Sequence, residues 1–242
     1  MTIILFDVDG TLTESGKVLD KKMIDIIIKL YYMGYILGVV GGGTYKKIKK
    51  QLRIVLHYFK YIFAESGSVI YVDLRKVKQK NILKNCNKKV LNKLIKKSLY
   101  YISKMPIKYS GNQIDLRHGM IYVSCPGIQA TNKIRNYFIK KDIKLNLRNN
   151  LIINLKKYDK DDEFNINIGG SVGISIQPKG WSKLDAMYYF QELKIEDEIY
   201  YFGDKYEPTG NDYPIINYLG DKGIKVNNYL ETIDKLVDIF KL

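Results

Sequence analysis

Three unbroken apolar runs, Ile3–Phe6, Tyr35–Val40 and Tyr61–Ala64, alternate with two stretches of helical periodicity. A strand with one wet face alternates apolar with polar residues. An unbroken apolar strand is instead covered on both faces, as in a parallel sheet flanked by helices. Between the runs, Met23, Ile27 and Leu30 recur at helical spacing, and Gly34 is a stop signal. Thr44 is placed to cap a second helix whose apolar face reads Ile48, Leu52, Val55 and Phe59. This β-α-β-α-β order predicts a parallel sheet with right-handed crossovers.

The style changes after about residue 80. Leu91, Leu94, Ile95, Ser98 and Ile102 mark one helix face, and "QIDLRHGMIYVS" follows. A helical stretch covers Asn132–Asp142, and a polar Lys/Asn/Asp region lies around 154–165. "NINIGGSVGISIQP" alternates as antiparallel strands do. Ile199–Phe202, Ile224–Val226 and an amphipathic last helix (Ile233, Leu236, Val237, Phe240) return to the first style. The chain therefore reads as α/β: a Rossmann-like parallel-sheet core at 1–80 and 181–242, with an inserted α+β cap domain at 81–180.

In open α/β sheets ligands bind outside the carboxyl ends of the strands. Asp7, Gly41–Gly43 and Gly203-Asp204 each follow a predicted strand, so they should converge on one edge. Gathered carboxylates repel one another unless a cation joins them, and oxygen ligands of this kind suit Mg²⁺ bridging to a phosphate. Asp204, Asn211 and Asp212 add further oxygens to those of Asp7 and Asp9. One of the paired carboxylates of "DVDGTLT" can attack phosphorus while the other moves a proton. Lys183, at a predicted helix start, is placed to neutralise phosphoryl charge, and the glycine run to cradle it.

Composition narrows the partners. Forty Lys+Arg against 25 Asp+Glu give a formal charge of +15, which favours anionic ligands. The lysines read as dispersed, and AT-rich codons would produce the same Lys/Ile/Asn/Tyr mixture, so a nucleic-acid partner is not expected. No apolar run approaches the roughly 20 residues that span a bilayer, and Met1 leads straight into a strand. These features, with Cys86 and Cys125 lacking metal-type spacing, predict a reduced cytoplasmic protein without a membrane segment.

The stretches "LFDVDGTLT", "GVVGGG", "FAESGSVIY", "LRHGMIYVS", "GGSVGISIQPKGW" with Lys183, and "YFGDKYEPTGND" resemble, in order, the eukaryotic-type phosphomannomutases of the haloacid dehalogenase superfamily. The resemblance implies a Mg²⁺-dependent mutase that interconverts mannose 6-phosphate and mannose 1-phosphate for GDP-mannose synthesis. It would work through an aspartyl-phosphate, with a hexose 1,6-bisphosphate as intermediate and activator. By resemblance, Asp7 is the nucleophile and Asp9 the acid/base. Asp7, the backbone carbonyl of Asp9 and Asp204 hold the metal, with Asn211 and Asp212 nearby. Arg117 and Arg135 match cap arginines that grip a phosphate, and family members pair cap to cap as homodimers.

Other positions depart from the pattern. A third cap arginine falls on Ile128, a sugar-binding serine and aspartate fall on Gly173 and Ser175, and a further arginine falls on Gly16. An acid expected near the C-terminal region falls on Tyr218. Lys17, Lys179, His118 and Thr44 are the nearby groups that could compensate. The thinned phosphate grip keeps a rival open, a sugar-phosphate phosphatase that lets water reach the phosphoenzyme. A non-catalytic basic homologue ranks lower, because it has no need of an intact set of Asp7, Asp9 and Asp204.

Overall fold

Strand β1 (Thr2–Phe6) is covered on both faces, as its unbroken apolar sequence requires. The computed structural model describes residues 1–242. After β1 come α1 (Lys21–Tyr32), capped by the Asp20 carboxylate accepting from the Met23 N–H at 2.8 Å, and β2 (Ile36–Val40). Helix α2 (Tyr45–Leu52) is capped by Thr44. It stops earlier than the periodicity predicts. Arg53 takes φ +44°, a 3-10 turn carries Arg53–Tyr58, and Phe59 is already the first residue of β3 (Phe59–Ala64). The tighter turn still buries Val55 and Leu56, so the apolar pattern is satisfied without a continuous α-helix.

Two strands then extend the sheet in the opposite sense. Strand β4 (Val69–Val72) pairs antiparallel with β3, and β5 (Arg75–Gln79) pairs antiparallel with β4. The expected parallel core thus gains an antiparallel edge that the sequence reading did not include. Strand β5 is exposed throughout and reads "RKVKQ", so it carries no apolar run by which to recognise it.

The chain forms two compact units, Met1–Gln79 with Trp181–Leu242, and Lys80–Gly180. The second unit begins with a single helical turn, α3 (Ile82–Asn85), and α4 (Lys88–Ser103). Its strands are β6 (Ile114–Leu116), β7 (Ile121–Ser124), β8 (Phe164–Gly169) and β9 (Gly173–Pro178), in the antiparallel order β6-β7-β9-β8. Helices α5 (Asn132–Leu145) and α6 (Leu147–Lys156) connect β7 to β8. One face of this sheet, with Ile121, Val123, Ile166, Ile174 and Ile176, is buried. On the other face, Asp115, Tyr122, Ser175 and Asn167 form a polar row across all four strands.

The first unit is completed by α7 (Asp185–Glu192), β10 (Glu198–Gly203), α8 (Tyr213–Leu219), β11 (Gly223–Lys225) and α9 (Tyr229–Phe240). Its sheet runs β11-β10-β1-β2-β3-β4-β5, with the first five strands parallel. Successive side chains of β1 enter opposite layers. Ile4 and Phe6 join Met23, Leu37, Val39, Ile62 and Leu236 on one side; Ile3 and Leu5 join Val40, Phe63, Phe190 and Ile215 on the other. Each such side chain contributes about 1.5–3 kcal/mol on burial. Both cysteines are free thiols, and no helix is long and apolar enough to cross a membrane.

The basic charge is not dispersed as the sequence suggested. Lys80–Gly180 holds 20 Lys+Arg against 6 Asp+Glu, whereas the other unit holds 20 against 19. Codon bias acts on the whole chain, so it does not by itself explain acid depletion confined to one unit.

Gly38, on central strand β2, faces Leu5 and Tyr61 across its two neighbours. A Cβ there would lie 2.6 Å from Leu5 Cδ2 and 3.1 Å from the Tyr61 carbonyl. Gly38→Ala is therefore expected to cost about 1–3 kcal/mol through overpacking, measured as a lower urea midpoint with unchanged slope.

Candidate active site

The carboxyl ends of β1 and β10 lie side by side, and the Asp7 N–H donates to the Phe202 carbonyl at 2.9 Å. This juxtaposition brings Asp7, just beyond β1, to Asp204, just beyond β10. Asp212, which precedes α8, joins them: carboxylate oxygens of Asp7, Asp204 and Asp212 lie within 4.8 Å of one another. The turn after β1 makes the approach possible. Gly10 has φ +95°, and a Cβ on it would sit 2.5 Å from Asp204 Oδ2. Only glycine meets both demands at this position.

Lys183 also reaches the cluster. It lies in the turn before α7, not in the helix, and is fully buried. Its Nζ is 2.6 Å from Asp7 Oδ1, donates to Asp212 Oδ1 at 2.7 Å and lies 3.3 Å from the Tyr201 hydroxyl. Burial works against its charge, but Asp212 and Asp7 outweigh that and raise the ammonium above its usual range. Asp212 is fully committed. Oδ1 accepts from Lys183 and the Tyr201 hydroxyl, and Oδ2 accepts from the Lys205 N–H at 2.9 Å. Burial would raise its carboxyl, yet these partners hold it below the ordinary value. Asp7 is different. Burial dominates over Lys183, and the neighbouring Asp212 and Asp204 add to it, so its carboxyl is pushed up to about 7.

The donor set fits a divalent cation. Asp204 Oδ1 is buried with no hydrogen-bond partner, although Oδ2 of the same carboxylate accepts from Lys205 Nζ at 2.8 Å. An orphaned carboxylate oxygen beside two more acids, all hard oxygens, suits Mg²⁺. Asn211 also belongs to this edge: a Cβ built on Gly42 would lie 3.9 Å from Asn211 Nδ2 and 3.7 Å from Ser66 Oγ. The Thr11 hydroxyl, in the same turn as Gly10, is buried and unpartnered as well.

The Asp9 carboxylate stands apart from the cluster. Oδ1 accepts from the Gly16 N–H at 2.7 Å and from Gln51 Nε2 at 2.9 Å, and Oδ2 pairs with Lys47 Nζ. Burial would raise this carboxyl, but the Lys47 charge and the three hydrogen bonds bring it below the usual carboxylate range. Sequence reasoning missed Lys47 and Gln51. They lie four apart on α2, which places both on one face.

In the second unit, Arg117 and Arg135 both approach Tyr122. The Arg117 guanidinium carbon is 5.0 Å from the Tyr122 ring centroid, and Arg117 Nε donates to Asp115 Oδ2 at 2.7 Å. Arg135 Nη2 donates to Ser171 Oγ at 3.3 Å. Burial raises the Tyr122 phenol, while Arg135, Arg117 and a third arginine, Arg148, act in the opposite direction. Arg148 was not anticipated. It donates to Asp142 Oδ2 at 2.6 Å and to the Gly170 carbonyl at 2.9 Å. Its signal was present, since arginine occurs only five times in this lysine-rich chain and three of the five are Arg117, Arg135 and Arg148.

Gly173 has no room for a side chain. A Cβ would fall 2.4 Å from the Val123 carbonyl and 2.7 Å from the Tyr122 hydroxyl, so Tyr122 occupies that space. Ser175 sits opposite Tyr122 in the ladder. Ile128 is exposed. Three of the groups named as substitutes are engaged elsewhere: Lys17 pairs with Glu14 at 2.6 Å, Lys179 pairs with Asp162, and Thr44 caps α2. Tyr218 accepts from Gln191 Nε2 at 2.6 Å beside a cleft of about 420 Å³. Glu198 and Ile199 line that cleft, placing it at the amino end of β10, opposite the carboxylate edge.

A sequence model of the family described as eukaryotic phosphomannomutase matches residues 23–242. The chain belongs to the eukaryotic phosphomannomutase family. Its relatives include a phosphomannomutase of Drosophila melanogaster, 34% identical over 88% of this chain and 85% of that protein. Another, from Spinacia oleracea, is 34% identical over 98% and 95%. Among solved structures, the C-terminal domain of trehalose-6-phosphate phosphatase from C. albicans superposes with a TM-score of 0.68 at 15% identity, covering 100% of this chain and 92% of that one. A haloacid dehalogenase-like hydrolase from Bacteroides thetaiotaomicron gives 0.61 at 18% identity, covering 97% and 91%. These structures share the fold of this phosphomannomutase-family chain.

Two outcomes are expected. Mg²⁺ at about 100 times its dissociation constant should stabilise the wild type by about 2.7 kcal/mol. Asp204→Asn should remove most of that shift in a thermal melt. In EDTA, Asp7 binds its proton more tightly folded, at about 7, than unfolded, at 3.8. Its ionisation therefore lowers stability as pH rises from about 4 to about 7, with no further loss above. Asp7→Asn should flatten that decline in urea titrations across this window.

Proposed function

We propose that this chain is a Mg²⁺-dependent phosphomannomutase that interconverts mannose 6-phosphate and mannose 1-phosphate through an aspartyl-phosphate and a hexose 1,6-bisphosphate. The observation that carries the reading is the buried Asp7–Lys183–Asp212 arrangement beside the orphaned Asp204 oxygen, at the edge of the sheet where ligands bind. Asp7, Asp204 and the backbone carbonyl of Asp9 would hold Mg²⁺, with Asn211 and Asp212 supporting. Bound there, Mg²⁺ offsets charge so that a carboxylate can approach an anionic phosphoryl group.

The protein's own groups supply the rest. Phosphorylated Asp7 gives its phosphoryl group to the free hydroxyl of the hexose phosphate. The bond from phosphorus to the Asp7 oxygen breaks, the bond to the sugar oxygen forms, and Asp9 accepts the hydroxyl proton. After the bisphosphate turns over, Asp7 attacks the other phosphorus and Asp9 returns the proton to the departing sugar oxygen. Lys183 aims Asp7 throughout and favours its ionised form against the burial that opposes it. Arg117 and Arg135 grip a phosphate, a guanidinium being suited to paired contacts with phosphate oxygens. The remaining role is supply of mannose 1-phosphate for GDP-mannose, in a cytoplasmic homodimer joined through the second unit. Exposed Ile143 and Ile153 there support the pairing.

A second reading, sugar-phosphate hydrolysis, draws support from the closed position at Gly173 and the engaged Lys17 and Lys179. One panel separates the two. Mannose and glucose phosphates, with Mg²⁺ and a trace of hexose 1,6-bisphosphate, are assayed for isomer and for free phosphate. Isomer should exceed free phosphate by at least about tenfold, and Asp7→Asn should abolish both. Phosphate release in excess would instead establish the phosphatase.

A further inference from the structure

We propose that Lys47 and Gln51 are positioning residues that hold the Asp9 carboxylate on the α2 side of the site, in the orientation from which it moves the sugar proton. The inference rests on the reading of Asp9 as acid/base, and it assigns roles to two side chains that reading does not use. Asp7 and Asp9 are two residues apart, yet their carboxylates have different surroundings. Asp7 turns to Lys183 and the cluster with Asp204 and Asp212. Both Asp9 oxygens are claimed by donors from elsewhere: Gln51 and the Gly16 N–H on Oδ1, Lys47 on Oδ2.

The helix that supplies these donors is specified locally. Thr44, directly after Gly41–Gly43, caps α2 and sets its register, which puts positions 47 and 51 on one face. Of the four lysines on α2, Lys47 is the one whose Nζ pairs with Asp9. Gln51 is 3% exposed and shares the buried side of α2 with Ile48 and Leu52. A buried amide is costly unless it is hydrogen-bonded, and Gln51 spends an N–H on Asp9. The Lys47–Asp9 pair is half-exposed, so it adds little to folding stability. Its consequence is directional. The two α2 donors hold the Asp9 carboxylate facing α2, apart from the Asp7, Asp204 and Asp212 cluster. A neutral amide and a cation together fix both oxygens, which neither achieves alone.

The test compares leaving groups. A sugar oxygen needs a proton to depart, whereas p-nitrophenolate leaves as the anion when Asp7 attacks p-nitrophenyl phosphate. Lys47→Met and Gln51→Leu should lower kcat on mannose 1-phosphate roughly 10–100-fold with KM nearly unchanged, and leave the p-nitrophenolate burst within about threefold of wild type. Lys47→Arg should recover most of the loss. In an Asp9→Asn background, Lys47→Met should have no further effect, as expected of residues acting through one another. Equal losses on both substrates would overturn the proposal, since the residues would then serve the phosphoryl group or the fold. So would a selective loss in Asp9→Asn that Lys47→Met and Gln51→Leu fail to reproduce. An Asp9→Asn protein with undiminished sugar-phosphate turnover would instead sink the reading of Asp9 itself.

Discussion

A buried lysine between two buried aspartates organises this molecule's first unit. Lys183 has no solvent to hydrate its charge, so its stability there depends on Asp7 and Asp212. Removing one member of such a group leaves an uncompensated charge, typically a loss of about 3–5 kcal/mol. The contact also ties together three distant parts of the chain: the end of β1, the turn before α7 and the start of α8. The two acids differ in what remains to them. Asp212 has both oxygens engaged, whereas Asp7 is held at one oxygen and destabilised by burial and like charges. That imbalance supports the proposed nucleophilic role of Asp7. It is fixed in place, yet gains from any cation or electrophile that approaches.

The same edge separates two carboxylates by environment. Asp7 is raised by burial and like-charged neighbours, and Asp9 is lowered by Lys47 and three hydrogen bonds. A cation held by Asp7 and Asp204 would lower the Asp7 carboxyl, as an attacking carboxylate requires. The second unit carries most of the net charge. With 20 Lys+Arg against 6 Asp+Glu, it presents an attractive field to anions in general.

Much of this was legible in the sequence because burial leaves a plain record. The runs at Ile3–Phe6, Tyr35–Val40 and Tyr61–Ala64 could only be strands covered on both faces, and the order of helices between them dictates parallel pairing. Loops that follow adjacent parallel strands must share an edge, so the meeting of Asp7, Asp204 and the Gly41–Gly43 loop followed from topology. What escaped notice had weak or misleading signals. Strand β5 is exposed on both faces and held by backbone bonds, which do not depend on side-chain pattern. Arg53 leaves the helical region at a point where the apolar spacing continues undisturbed. Lys47 sits in a run of lysines, and only the fold distinguishes it from Lys46, Lys49 and Lys50. The space taken by Tyr122 at Gly173 is a contact between β7 and β9, invisible to a reading along the chain.

Asp7 is the proposed acceptor of the phosphoryl group, and its acyl phosphate can be trapped. Borohydride reduction converts an acyl phosphate of aspartate to homoserine, which peptide mass spectrometry locates by residue. After brief exposure to hexose 1,6-bisphosphate and Mg²⁺, homoserine should appear at position 7 in the wild type and nowhere in Asp7→Asn. Turnover of mannose phosphates with no modification at position 7, or with homoserine at another aspartate, would contradict that role.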